Sequence, residues 1–70
     1  MEKTLQERVG NRIKEIRIQK EISQQDLAAK CNFEKSNMSR IEAGKTNMTL
    51  STIEIIAKAL DVRLADLFEF

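Results

Sequence analysis

Apolar residues recur along this chain with the period of a helix, and the polar residues between them mark where each helix stops. Leu5, Val9, Ile13 and Ile16 follow one another at spacings of four, four and three. That predicts a first helix ending near Lys20, with one stripe turned inward. Ser23 opens "SQQD", a capping box in which the serine oxygen accepts from the Asp26 N–H and the Asp26 side chain reaches back. The second helix then runs to about Cys31, with Leu27, Ala28 and Cys31 inside. Asn32 tolerates the left-handed backbone that ends a helix sharply. A third helix follows over about Lys35 to Ala43, closed by Gly44. "GKTNMT" is a loop, and Thr49 caps a fourth helix with Leu50, Ile53, Ile56, Ala57 and Leu60 inside, until Asp61 ends it. Val62, Leu64, Leu67 and Phe68 supply a short fifth helix or turn that closes the core. Nothing alternates with period two for long enough to make a strand. The expected fold is all-α, five short helices around one core.

The third helix is unlike the others. Between Phe33 and Gly44 its only apolar residues are Met38, Ile41 and Ala43. With Met38 as the inner direction, steps of about 100° per residue put Ile41 beside it. Ser36, Ser39, Arg40 and Ala43 then lie on the far side, with Lys35 at the exposed N-terminal end. Two helices joined by a short turn, with a small residue such as Ala28 permitting close approach, form a helix-turn-helix, here spanning about residues 23–43. The second helix of such a unit fits the major groove of DNA, where Arg, Lys, Ser, Asn and Gln can read base edges. The plainer alternative is a solvated amphipathic helix.

Composition narrows the classes. Seventy residues make one domain, 1–70, and a chain this short buries only roughly 60% of the surface its unfolded form exposes. With 41% hydrophobic and 33% charged residues, folding is favoured over disorder. Cys31 is the only cysteine, so no disulfide is available, and one unpaired thiol suits a reducing cytoplasm. An inner-face position makes it a core thiol rather than a redox sensor. The N-terminus "MEKTLQERVGNRIKEIRIQK" has no continuous apolar stretch, so neither a signal peptide nor a membrane span is expected. A soluble cytoplasmic protein with no membrane partner follows. The net charge of +1 says little about partners, but residues 1–50 carry ten of the twelve Lys and Arg, whereas residues 51–70 are net acidic. A nucleic-acid binder would use a local patch. With no histidine, one isolated cysteine and no Gly-rich phosphate loop, no nucleophile–base pair or metal cluster can be assembled. No enzyme, cofactor, metal or small-molecule effector is expected.

The wider pattern "RIKEIRIQKEISQQDLAAKCNFEKSNMSRIEAGK…TLSTIEIIAKALDVRLADLF" resembles the Cro/CI-type (XRE-like) helix-turn-helix family, the lambda-repressor-like domains, across about Val9 to Phe68. "ISQQDLA", "SRIEAGK" and "IIAKALDVRLADLF" carry most of the match, in that order and spacing. The resemblance implies a bacterial or phage-like transcriptional regulator that binds operator DNA as a dimer. It implies that Gln24 approaches a phosphate at the start of the second helix. Lys35, Ser36 and Arg40 would read bases, Asn37 and Ser39 would meet backbone or flanking bases, and Lys45 would meet phosphate. Five positions depart from the family's pattern. Glu21 and Asn32 stand in place of glycines, Glu34 in place of a Ser or Thr cap, Ala43 in place of a frequent asparagine, and Arg63 in place of the last helix's common cap.

Glu42 points about 40° from Met38, where an unpaired carboxylate is costly, and Arg17 lies close to the inner stripe of the first helix. The resemblance pairs these two as an ion pair joining helices one and three, the alternative being a direct DNA contact by Arg17. The family's mode of action implies a homodimer, and the C-terminal "ADLFEF" offers a surface for it. A short helix cannot turn Leu64, Leu67, Phe68 and Phe70 all inward, although Phe70 could instead fold back on its own core. The competing function is a protein-interaction module on the same fold, an antitoxin or an adaptor. Antitoxins usually carry a toxin-wrapping segment, and a sequence ending at Phe70 sets the expectation of a self-contained DNA binder instead.

Overall fold

Thr4 begins the first helix with a reciprocal cap: its hydroxyl accepts from the Glu7 N–H at 3.1 Å, and the Glu7 carboxylate accepts from the Thr4 N–H at 2.8 Å. In this computed structural model, which describes residues 3–70, α1 spans Leu5–Gln19. Helix α2 spans Gln24–Cys31, α3 Lys35–Glu42 and α4 Leu50–Leu60. The chain ends in a five-residue 3-10 helix, Leu64–Phe68. No strand occurs among the described residues. The expected fifth helix is thus corrected to a 3-10 turn after four α-helices. The 3-10 form uses i→i+3 bonds and occurs in short pieces, and here the Asp66 N–H donates to the Arg63 carbonyl at 3.0 Å.

All four α-helices stop in the same way. Glu21, Asn32, Gly44 and Asp61 each take positive φ, between 57° and 73°. In each case the next residue's N–H reaches back to close the last turn: Ile22 to the Arg17 carbonyl, Phe33 to Ala28, Lys45 to Arg40 and Val62 to Ala57, at 2.8–3.0 Å. This pattern satisfies carbonyls that a helix end would otherwise leave orphaned. Ile22, Phe33 and Val62 then pack against the core, so each of these stops also places an apolar residue. At α2 only half of the expected box forms. Ser23 accepts from the Asp26 N–H at 3.0 Å, and Asp26 makes no return bond.

The core draws on every element. Ile13, Leu27, Met38, Ile56 and Leu67 have no exposed surface. Helix α2 packs against α3 and α4, and α1 against α3, α4 and the 3-10 helix. Two positions expected inside are corrected: Leu5 is 60% and Leu50 75% exposed. Each is the first residue of its helix, and a helical side chain leans toward the N-terminus, here past the edge of the core. Leu67 is corrected in the other direction, being fully buried and therefore unavailable to a second subunit, while Leu64, Phe68 and Phe70 keep 39%, 39% and 58% exposure. Phe70 also folds back, its ring 5.8 Å beneath the Arg8 guanidinium.

Candidate nucleic-acid interface

Residues 32–34 join α2 to α3, a three-residue turn made possible by the left-handed Asn32. Leu27, Ala28 and Cys31 from α2 are buried with Met38 and Ile41 from α3. That contact consumes the whole apolar side of α3. Lys35, Ser36, Asn37, Ser39 and Arg40 are all exposed on the remainder, an array of donors and hydroxyls that the core does not use. Burial also keeps Cys31 a thiol, pushing its pKa up from the ordinary value.

Glu34 precedes α3 with an exposed side chain that makes no capping bond, so the first N–H groups of the helix lack a side-chain acceptor. Lys45 lies just past the other end. Its N–H is held by the Arg40 carbonyl at 3.0 Å, while its side chain is exposed. The backbone is pinned and the cation is outside.

Arg17, Glu42 and Gln24 converge behind this face. The Arg17 guanidinium donates through Nε to Glu42 Oε2 at 2.7 Å and through Nη2 to Oε1 at 3.1 Å. Its Nη1 donates to the Ile22 carbonyl at 2.9 Å. Gln24 Nε2 donates to the same Glu42 Oε1 at 3.2 Å. One carboxylate therefore joins α1, the start of α2 and the end of α3, and it is the only charged side chain in the core among the described residues. A two-pronged guanidinium–carboxylate pair is the strong form of such a bond. Gln24 is thus oriented by Glu42, with its second amide hydrogen still available.

Gly10 is a residue that periodicity alone passes over. A Cβ at this position would collide with the Ile41 carbonyl oxygen and lie 2.7 Å from that of Glu42. The absence of a side chain lets α1 press against the C-terminal end of α3. A glycine inside a helix costs about 1 kcal/mol relative to alanine, and that oddity is the sequence signal for the close approach. Gly44 makes a second one, since its Cβ would lie 2.5 Å from Glu7 Cα. No helix among the described residues is long and apolar enough to cross a membrane.

Four helices and a 3-10 turn, with a helix-turn-helix whose second helix is polar on its outer face, define a helix-turn-helix domain. The chain belongs to the Cro/C1-type HTH DNA-binding domain family, whose model matches residues 12–70. It is similar to the control protein C.BamHI of Bacillus amyloliquefaciens, 40% identical over 62 residues that cover 87% of this chain and 76% of that protein. Among solved structures it resembles the restriction-modification controller protein C.AhdI from Aeromonas hydrophila. There the TM-score is 0.85 at 34% identity, over 89% of this chain and 94% of that one. The controller protein C.Esp1396I, solved as a tetramer with its natural 35 base-pair operator, also matches at TM-score 0.85. Its identity is 37%, over 96% of this chain and 88% of that one. The family is one of DNA-binding domains, and these relatives are named as control or controller proteins.

Proposed function

We propose that this protein is a cytoplasmic transcriptional regulator that binds a near-palindromic operator as a homodimer, residues 1–70 forming one domain that acts by binding and not by catalysis. Helix α3 enters the major groove, with Lys35, Ser36 and Arg40 toward base edges and Asn37 and Ser39 toward backbone or flanking bases. Gln24 and Lys45 meet phosphates at either side. The observation that carries this is the exposed polar face of α3, held by a core that uses only its opposite side. Of the exposed large apolar residues, the second copy covers Leu5, Leu50, Leu64, Phe68 and Phe70. Leu5, Leu50 and Phe68 border one groove of about 350 Å³, with Leu64 and Phe70 exposed on the same C-terminal segment.

The test starts from a preferred site selected out of a random duplex pool. A bidentate arginine–guanine contact contributes about 1–3 kcal/mol of discrimination, so Arg40→Ala is expected to lose that on the preferred site and flatten preference there. Lys45→Ala is expected to weaken all sequences alike and lower the salt slope by about one. Equal losses by both variants on selected and random duplexes would remove Arg40 from the reading positions.

A further inference from the structure

The close approach at Gly10 brings α1 to the edge of the recognition surface. Asn11 and Lys14 are both exposed on α1. Together with Lys3 they line a polar cleft of about 320 Å³ whose other side carries Gln24 and Ser39. One hollow thus joins the helix-turn-helix face to a helix outside it. We propose that this cleft holds a DNA backbone phosphate, with Lys14 and Asn11 as phosphate-binding residues of α1.

The charges around the cleft favour a single anion. Glu42 lines it, but both of its oxygens are engaged, by Arg17 and by Gln24. Glu7 lines it as well, its carboxylate held by the Thr4 N–H and lowered in pKa mainly by that bond. With the Arg17–Glu42 pair neutral, Lys3 and Lys14 against Glu7 leave one net positive charge. A phosphodiester carries one negative charge. Neutral donors complete the set: the second amide hydrogen of Gln24, the Asn11 amide and the Ser39 hydroxyl. Ala43 contributes only a methyl group to the wall, which leaves the space open. The contact carries no base information, so it serves to fix register and orientation.

This inference rests on the DNA reading above, and the experiment separates the two. Affinity of the full chain is measured against salt on the selected duplex and on random duplex, for wild type, Lys14→Gln, Asn11→Ala and Lys58→Gln. Lys58 lies on α4 beside Glu54, and its loss removes the same unit charge away from the cleft. Lys14→Gln is expected to lower the salt slope by about 0.9 and weaken both duplexes about eightfold at 0.1 M salt. Asn11→Ala is expected to weaken binding by roughly two- to tenfold with the slope unchanged. Methylphosphonate replacement of single phosphates then locates the partner. At one position, neutralising the phosphate is expected to weaken wild type by more than it weakens Lys14→Gln, the neutral donors keeping the smaller remaining effect. Wild type that binds duplex DNA while Lys14→Gln matches Lys58→Gln in slope and affinity overturns the phosphate site alone. Wild type that shows no preference for any duplex overturns the DNA reading itself.

Discussion

Glu21 holds a left-handed backbone, φ 57°, in which an L side chain crowds the following carbonyl oxygen at about 1–2 kcal/mol. Its N–H nevertheless bonds the Ile18 carbonyl at 3.0 Å, and Ile22 reaches back to Arg17, so the geometry is that of a glycine stop built without glycine. Glu21→Gly is expected to relieve the strain and give back part of it to the freer unfolded chain, a net gain of about 0.5–1 kcal/mol. Urea unfolding reads this as a higher midpoint at unchanged slope. A lower midpoint would mean that the glutamate side chain makes a stabilising contact of its own. Gly44 is the contrasting case: φ is 73° and a Cβ would also meet the Glu7 backbone, so there the glycine is required twice. Glu21 looks like a departure from the family's glycine when read in sequence, because strain at one residue leaves no trace in a pattern of apolar positions. Asn32 and Asp61 are legible, since their short polar side chains are among the few that enter this region routinely.

Between elements, the contact of α1 with α3 fixes where the recognition helix sits, and one polar group lies at its centre. Glu42 is 4% exposed at its side chain and Arg17 12%. Removing one partner of a buried pair can cost about 3–5 kcal/mol because the other charge is stranded. Arg17→Met is expected at the high end, since the carboxylate left behind retains only the Gln24 amide. Glu42→Leu is expected to cost less, because the more exposed guanidinium keeps its bond to the Ile22 carbonyl and can swing toward water. The double change is expected to cost less than the sum, and the cycle isolates the coupling. A coupling near zero in unfolding measurements would mean that the two ions are independently solvated. Helix boundaries were readable from apolar spacing because the core takes one stripe from each helix. Spacing turns Leu5 and Leu50 inward although both are exposed, because it says which face a residue occupies, not whether a neighbouring helix extends far enough to cover it. Gly10 lies outside what apolar spacing can show for a related reason: a close backbone approach is a property of two helices, and only one of them carries the signal.

At the scale of the whole molecule, one copy measures 32 × 23 × 22 Å and carries a single eight-residue recognition helix. Such a body faces one major groove, which limits the base contacts it can make. It also leaves large apolar side chains in water at Leu5, Leu50, Leu64, Phe68 and Phe70, and a core from a chain this short gives only about 3–5 kcal/mol of net stability. Covering those side chains with a second copy answers both shortages, because a two-fold axis buries the same patch on each subunit and adds a second α3. The two recognition helices then lie about 34 Å apart, matching half-sites roughly 10 base pairs between centres. Leu50 provides the cleanest test. At 75% exposure it contributes little to the fold of one copy, so Leu50→Glu is expected to leave unfolding of the monomer almost unchanged. At micromolar concentration the wild type should sediment as a dimer and Leu50→Glu as a monomer. The variant should bind a palindromic site no better than a single half-site. A wild type that sediments as a monomer, and holds one half-site as tightly as the palindrome, would remove the dimer and leave each copy reading DNA alone.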